Sequence, residues 1–196
     1  MKIVKFKPEY YNQVYEIYEK SFPIEERYIT LDKMIKKENT ELYCLVDKEA
    51  IFGFVYLLFY QNMVFILYLA VNPDNCSKGY GSYILKWCLH KYTDKNIYLN
   101  IEEVKKDVKD YETRLKRLKF YLKNDFFISS YISKEETESF NILSNNKDID
   151  IEQYKELDKF IASVLEEPIS NIVEVDSKEF LNNKYNSIRR KIYLWK

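Results

Sequence analysis

Only three glycines occur in 196 residues, and two of them, Gly79 and Gly81, stand two positions apart in a single short loop. A chain so poor in glycine gathers two of them where the backbone must do what a side chain would prevent. The eight residues 64–71, Val-Phe-Ile-Leu-Tyr-Leu-Ala-Val, precede that loop and are almost continuously apolar. That is the pattern of a strand covered on both faces. Pro73 removes a backbone donor and stops the strand. From about Lys78 the period becomes helical. Stepping about 100° per residue, Ile84, Leu85, Cys88, Leu89 and Tyr92 fall within an arc of about 140° that also contains Gly81, so the first turn can approach a sheet closely.

The first amides of a helix have no partner inside it, and the helix dipole is positive at that end. Glycines there allow an anion such as a phosphate to reach the backbone, with Ser77, Lys78 and Ser82 as further donors. The strand, loop and helix start therefore read as an anion cradle. The plainer alternative is a glycine turn that packs a helix on a sheet. Two nucleotide signatures are excluded by spacing: there is no Gly-x-x-x-x-Gly-Lys-Ser/Thr and no complete Gly-x-Gly-x-x-Gly.

Upstream, residues 2–6 alternate as a first strand, and Pro8 suits the first turn of a helix to about Ser21. Its apolar stripe is Tyr11, Val14, Tyr15, Tyr18 and Phe22, and Pro23 stops it. Thr30 is a candidate N-cap, with Asp32 in the first turn, for a short helix to about Lys37. Residues 42–46 and 51–60 read as a hairpin turning at Asp47-Lys-Glu49, and Gln61-Asn62 leads into the glycine-loop strand. Strands and helices in this order predict a mixed α/β (α+β) fold.

Downstream, residues 97–102 form the next strand, with Asn100 and Glu102 on one face and Leu99 and Ile101 on the other. Asp107 or Asp110 can cap a helix to about Asn124, with Tyr111, Leu115, Leu118 and Leu122 as its core stripe and Tyr121 at the margin. Phe120 lies opposite the leucines, so a second side of this helix also needs cover. Strands follow at 126–133 and 139–144. The polar loop 144–148 is the expected boundary between a domain of residues 1–145 and an extension of 146–196. Residues 151–166 read as an amphipathic helix ended by Pro168. The remainder, closing on Arg189-Arg-Lys-Ile-Tyr-Leu-Trp195, carries no motif. Its apolar residues are expected to cover the core or a second subunit, the latter making a homodimer.

The segment Leu69-Ala-Val-Asn-Pro-Asp-Asn-Cys-Ser-Lys-Gly-Tyr-Gly-Ser82 resembles the acetyl-CoA-binding motif of the GNAT N-acetyltransferase superfamily, in which a hydrophobic strand and Val-x-Pro lead into Arg/Gln-x-x-Gly-x-Gly/Ala. Both glycines and the preceding basic residue match, while Cys76 replaces Arg/Gln and removes one polar contact near the pyrophosphate. Arg117-Leu-Lys-Phe-Tyr-Leu-Lys-Asn-Asp-Phe126 is similar to a second signature of the family, Arg/Ala-x-x-Phe-Tyr-x-x-x-Gly-Phe. Asp125 replaces its glycine at a left-handed helix end, a conformation that Asp tolerates. Ser21-Phe-Pro-Ile-Glu-Glu-Arg27 resembles a Phe-Pro-x-x-Glu-Arg turn of the same family.

The resemblance covers roughly residues 1–145 and implies a mostly antiparallel, twisted sheet flanked by helices, with the C-terminal helical extension added. It implies acetyl-CoA as cosubstrate, bound through Leu69, Ala70, Val71, Cys76, Ser77, Lys78, Gly79, Tyr80, Gly81 and Ser82, where the strand of residues 67–71 and that of 97–102 splay apart. It implies Glu102 as the base that deprotonates a primary amine and Tyr121 as the acid that protonates the departing thiolate. Phe22, Glu25, Arg27 and Asn100 would border the acceptor, which is a small-molecule or peptide amine. The alternatives on the same fold are a non-catalytic acyl-CoA-binding or sensing module and a protein-interaction role centred on the extension.

Thirty-one Lys and Arg balance thirty-one Asp and Glu, which gives no electrostatic reason to expect nucleic acid or an anionic membrane as partner. Three cysteines and one histidine form no metal-ligand spacing and no disulfide framework, so no metal is expected. His90 lies off its helix's apolar arc and reads as a surface residue. No signal-like apolar run opens the chain, and the expectation is a cytoplasmic protein.

Overall fold

The computed structural model describes residues 1–75, 78–136 and 138–175, apart from the side chain of Glu25. It divides into two units, Met1–Ile97 and Tyr98–Lys196. In the first, strands β1 (Lys2–Lys5), β2 (Thr40–Asp47), β3 (Ala50–Tyr60) and β4 (Met63–Val71) lie side by side in sequence order, every pair antiparallel. The two tight reversals place Lys48 and Gln61 at positive φ (54° and 50°), as short loops between twisted strands require.

Residues alternate across β3, so its two faces take different helices. Phe54 and Tyr56 share a face with Tyr68, and there α1 (Tyr11–Ser21) packs through Tyr18, whose ring lies 6.4 Å from Phe54 and 5.2 Å edge-on to Tyr68. Gly53, Val55 and the neighbouring Tyr43 face the other way, toward α3 (Tyr80–Lys91), with Trp87 4.7 Å from Tyr43. Gly53 is the third glycine, and its role is steric. A Cβ there would stand 2.5 Å from the Ala70 carbonyl oxygen and 3.2 Å from Ile84 Cδ1. In α3, Ile84, Leu85 and Cys88 are buried and His90 is exposed, as its period predicts.

Two bulges break the ladder, each adding one residue to one strand. Val46 pairs with Ile51 and Leu45 with Gly53, leaving Phe52 extra in β3. Tyr56 pairs with Tyr68 and Leu57 with Ile66, leaving Leu67 extra in β4. Burial changes at that second bulge. Met63, Val64, Phe65 and Ile66 are buried, whereas Leu67, Leu69 and Val71 are half-exposed and alternate with buried Tyr68 and Ala70. The expectation of burial on both faces thus holds only for the first half of the strand.

Three local expectations are corrected. The core face of α1 is Val14, Ile17 and Tyr18, and Tyr15 is 40% exposed, stacked on Tyr11 with its hydroxyl donating to Glu19. The i, i+3, i+4 set centred on Ile17 buries aliphatic surface and leaves Tyr15 at the margin. Helix α2 (Leu31–Met34) is one turn long, Asn39 beyond it has φ 56°, and Thr30 makes no side-chain cap. Asp110 precedes α4 (Tyr111–Lys123), but its carboxylate accepts from Arg114 Nε at 2.9 Å, not from a helix amide.

In the second unit β5 (Asn96–Glu102, its first two residues in the first unit), β6 (Phe127–Lys134), β7 (Ser139–Ser144) and β8 (Asn171–Glu174) run in the order β5-β7-β6-β8, all antiparallel. Leu115, Leu118 and Leu122 of α4 are buried together with Arg114. That arginine donates to Asp110, to both Glu138 carboxylate oxygens (3.2 and 3.1 Å) and to the Glu103 carbonyl. Helix α5 (Ile151–Leu165) starts on Asp150, whose carboxylate accepts from the amides of Glu152 and Gln153, and buries Tyr154, Leu157, Ile161 and Val164. Strand β8, which carries no periodic signal, closes the edge of β6. Residues 145–150 connect β7 to α5 within this unit, and a 1–145 domain with a separate extension stays a proposal about folding units. The Arg189–Trp195 tail lies outside the described residues.

Candidate functional site

The first cluster is the turn from β4 into α3. Beyond Val71, the Asn72 amide donates to the Phe52 carbonyl at 2.9 Å, and a 3-10 turn over Pro73–Asn75 carries the chain off the strand. Asn72 Oδ1 accepts from the Asp74 amide at 3.1 Å, a local side-chain bond that fixes the turn. Cys76 and Ser77 lie outside the described residues. Lys78 is exposed and its ammonium donates to Asn75 Oδ1 at 2.8 Å.

Gly79 occupies the N-cap position of α3 with φ 82° and ψ 5°, the left-handed region, and, its chain neighbours aside, a Cβ on it would find no atom of the described residues within 4 Å. The glycine is therefore required by backbone conformation and not by crowding. The first helical bond runs from the Tyr83 amide to the Gly79 carbonyl, so the amides of Tyr80, Gly81 and Ser82 precede the helical ladder. Tyr80 turns its ring edge-on to Phe52 at 5.3 Å, the residue freed by the β3 bulge. Gly81 and Ser82 are half-exposed in the first turn. Leu69 and Val71 present their half-exposed face one strand-length before this turn, and Ala70 between them is buried. The arrangement offers half-exposed residues at the end of β4, then amides outside the helical ladder at a positive helix terminus.

Phe22 and Arg27 are brought together after α1. The Phe22 ring lies 4.7 Å from Tyr68 and 5.6 Å from Tyr18. Arg27 donates to the carbonyls of Phe22 (2.9 Å) and Glu19 (2.8 Å), and its guanidinium sits 5.8 Å over the Tyr18 ring. Those bonds close the carbonyl end of α1. Arg27 has a structural task in this state. The Glu25 side chain lies outside the described residues.

The second unit holds the titratable candidates. Asn100 Oδ1 accepts from the Tyr154 hydroxyl at 2.9 Å. The Glu102 carboxylate, largely buried, accepts from Arg117 Nη1 through Oε2. Tyr121 lies one turn after Arg117 on α4, half-buried, with its ring 5.1 Å from Phe120 and 5.9 Å from Phe126. Burial pushes the Tyr121 phenol up to about 12, Arg117 pulls it down and Glu102 pushes it up.

The end of α4 fixes that ring. Asp125 adopts φ 65°, the left-handed cap expected of the residue standing at the glycine position. The Phe126 amide reaches back to the Tyr121 carbonyl at 3.2 Å, and the Tyr121–Phe126 ring contact spans the same pair, as in a Schellman ending. Arg117 opens the matched Phe-Tyr signature, yet motif reading gave it no role, and the structure pairs it with Glu102. The available signal was its i, i+4 relation to Tyr121, read together with a carboxylate at a strand end.

Among the described residues no cluster of three or more His, Cys, Asp or Glu could hold a metal ion, and no helix is long and apolar enough to cross a membrane. Cys44 and Cys88 are buried, and burial pushes both thiols up to about 12.

The sequence model of the acetyltransferase (GNAT) family matches residues 9–123, more than half of the chain. Among solved structures, one assigned to the GNAT acetyltransferases from Bacteroides thetaiotaomicron superposes with a TM-score of 0.67 at 19% identity, covering 84% of this chain and 98% of its own. An aminoglycoside 6'-N-acetyltransferase complexed with coenzyme A gives 0.58 at 14% identity, covering 76% of this chain and 100% of its own. A GNAT family acetyltransferase from Elizabethkingia anophelis with acetyl-CoA bound gives 0.51 at 16% identity, covering 73% and 95%. At such identities the structural likeness establishes the fold. A search of curated proteins returned no match.

Proposed function

Because the chain belongs to the acetyltransferase (GNAT) family, we propose that it transfers an acetyl group from acetyl-CoA to a primary amine by direct attack on the thioester. The observation that carries this is the start of α3: a left-handed Gly79 uncrowded by any described residue, with the amides of Tyr80, Gly81 and Ser82 ahead of the helical ladder. Those amides suit the pyrophosphate of the cosubstrate, since oriented N–H groups and the helix dipole both favour an anion. Neighbours of the same fold are described with coenzyme A or acetyl-CoA bound. Lys78, whose ammonium donates to Asn75, adds a positive charge beside the turn, and Cys76 replaces the Arg/Gln of the family motif. A backbone N–H in Leu69 to Val71, a stretch where half-exposed residues alternate with a buried one, is the candidate donor to the thioester oxygen, whose charge grows in the transition state.

An alkyl amine has a pKa near ~10 and must lose a proton before it attacks. Glu102 is the proposed acceptor of that proton, directly or through water, and Tyr121 the proposed donor to the sulfur as the C–S bond breaks. Phe22, Glu25, Arg27 and Asn100 are proposed to border the acceptor, which is a small molecule or a peptide. The rival reading is a non-catalytic acyl-CoA-binding module. It is favoured by the ion pair that engages the Glu102 carboxylate with Arg117.

Two measurements separate the readings. Acetyl-CoA and CoA at ~100 times their dissociation constants should stabilise the protein by about 2.7 kcal/mol, a shift of roughly 5–10 °C, whereas ATP and NAD should give none. An amine panel should then show CoA release that Tyr121→Phe slows by about 10²- to 10⁴-fold while the CoA-induced shift is retained. Stabilisation by CoA without turnover on any amine would leave the binding module.

A further inference from the structure

The end of α3 away from Gly79 carries a second cluster, all of it within the first unit. Trp87 and Lys91 stand four residues apart on that helix, Tyr92 caps it, and Tyr43 comes from β2. The Lys91 ammonium lies over all three rings, 5.6 Å from the centre of Tyr43 and 5.5 Å from the centres of Trp87 and Tyr92. The rings are inclined to one another, Tyr43 to Trp87 by 60° and Trp87 to Tyr92 by 84°, so they form walls and not a stack. We propose that this aromatic cage binds a small quaternary methylammonium compound, with Lys91 as a tethered occupant that the ligand displaces. The proposal does not rest on the N-acetyltransferase reading.

Two of the walls are held by one carboxylate. Glu41 Oε2 accepts from the hydroxyls of Tyr43 at 2.8 Å and Tyr92 at 3.0 Å, and Oε1 accepts from the Lys5 ammonium at 3.1 Å. Burial pushes the Glu41 carboxyl up, but these three hydrogen bonds together hold it below the ordinary range, so it is ionised at neutral pH. A phenol that donates to an anion has a more electron-rich ring, and the charge behind the two walls adds its own attraction for a cation in front of them. Phe59 packs edge-on against Tyr92 at 5.4 Å. Both tyrosines are buried, Trp87 is half-exposed and Lys91 is exposed, so the lysine is the member of the cluster with freedom to swing away.

Size and hydration select the class of ligand. A nitrogen 5.5 Å from a ring centre stands short of contact. An N–C bond of about 1.5 Å would carry a methyl group to about 4 Å from the ring, ordinary van der Waals distance, and three methyl groups can meet three walls. The lysine ammonium is a compact, strongly hydrated charge, whereas a methylated one gives up less on leaving water. The last turn of a helix also favours a cation. Among the described residues the partners of the Lys91 ammonium are these rings and not a carboxylate, so its displacement breaks no ion pair there.

The test titrates the full chain with choline chloride against matched sodium chloride and follows saturation transfer from the protein to the choline methyl resonance. The signal should saturate with a half-point of about 1–20 mM, the range that three such contacts support. The uncharged isostere 3,3-dimethyl-1-butanol should bind roughly tenfold more weakly or worse. Lys91→Gln, which removes the tethered occupant, should tighten choline by about 2- to 5-fold, and Trp87→Leu, which removes a wall, should weaken it by about 3- to 30-fold. No saturable signal in the parent, an alcohol that binds as well as choline, or a Lys91→Gln protein no tighter than the parent overturns the proposal. Choline binding that appears only in Lys91→Gln overturns it too, because the lysine is then a permanent occupant. A response to phosphatidylcholine vesicles without one to free choline would overturn a soluble ligand. If Trp87→Leu fails to fold, the surface change Lys91→Gln and the alcohol decide.

Discussion

Gly79→Ala isolates what the glycine loop contributes. The left-handed conformation at φ 82° costs an alanine about 1–2 kcal/mol, and the less flexible unfolded chain returns about 0.4–1 kcal/mol. Among the described residues, its chain neighbours aside, no atom lies within 4 Å of the new methyl, so they add no clash. The net loss is about 1 kcal/mol, a fall in Tm of roughly 2–4 °C. Binding should suffer more. Relief of the strain re-aims the amides of Tyr80 to Ser82, and the loss of one hydrogen bond to a charged group, about 1.5–3 kcal/mol, weakens CoA by about 10- to 140-fold. Gly53→Ala is the contrast, because its methyl meets the Ala70 carbonyl at 2.5 Å and that backbone cannot yield easily. Overpacking of this kind costs about 1–3 kcal/mol, so Gly53→Ala should lose at least as much Tm as Gly79→Ala. Calorimetric titration with CoA, beside thermal melts of the same samples, reads both quantities. A folded Gly79→Ala protein that binds CoA within threefold of the parent would refute the assignment of the helix start as the anion site.

Two further expectations concern stability and pH. Asp158 is buried, accepts from the Ser170 amide at 3.1 Å, and has its carboxyl raised above the ordinary range by burial. A raised carboxyl favours the fold below the unfolded pKa, near ~4, and loses that contribution as pH rises through the folded value. Asp158→Asn should therefore melt above the parent at pH 7.5 and lose that margin near pH 3, and a lower Tm at pH 7.5 would contradict it. Asp110 and Glu138 are both held low, chiefly by hydrogen bonds from Arg114, so their contribution is present above the unfolded range and disappears as pH falls through the folded values. Arg114→Met should lower Tm by roughly 5 °C at pH 7 and by clearly less at pH 3, whereas an equal loss at both pH values would assign the effect to packing alone.

The sequence makes some of this fold plain and hides the rest for physical reasons. Strands β2 to β4 and helices α3 to α5 were legible because apolar periodicity is strong there and polar turns separate the segments. The Asp125 cap was legible because only a few residue types tolerate its φ. Strand β8 was not, since four residues at a sheet edge with two half-exposed side chains leave no period to read. Tyr15 misled because tyrosine serves equally in a core or stacked on a surface neighbour. The change of burial along β4 falls at the Leu67 bulge, and a bulge is a relation between two strands that neither strand's own pattern records. The same holds for Arg114, whose partners include a residue 24 positions away, and for Arg117 with Glu102. At the candidate site, the backbone elements followed from glycine placement, and the charge pairing did not.

The contrast between the starts of α5 and α3 has a consequence for local dynamics. Asp150 satisfies two amides of α5 from within the chain, whereas α3 begins on a residue with no side chain to offer. An anion seated on Tyr80 to Ser82 would supply to α3 what Asp150 supplies to α5, so ligand occupancy and the order of that first turn become one equilibrium. Amide exchange in the first turn of α3 would then be a gauge of cosubstrate in its own right, slowing as the site fills while the first turn of α5 stays unchanged. The ligand, on this view, is the last structural element of the helix that holds it.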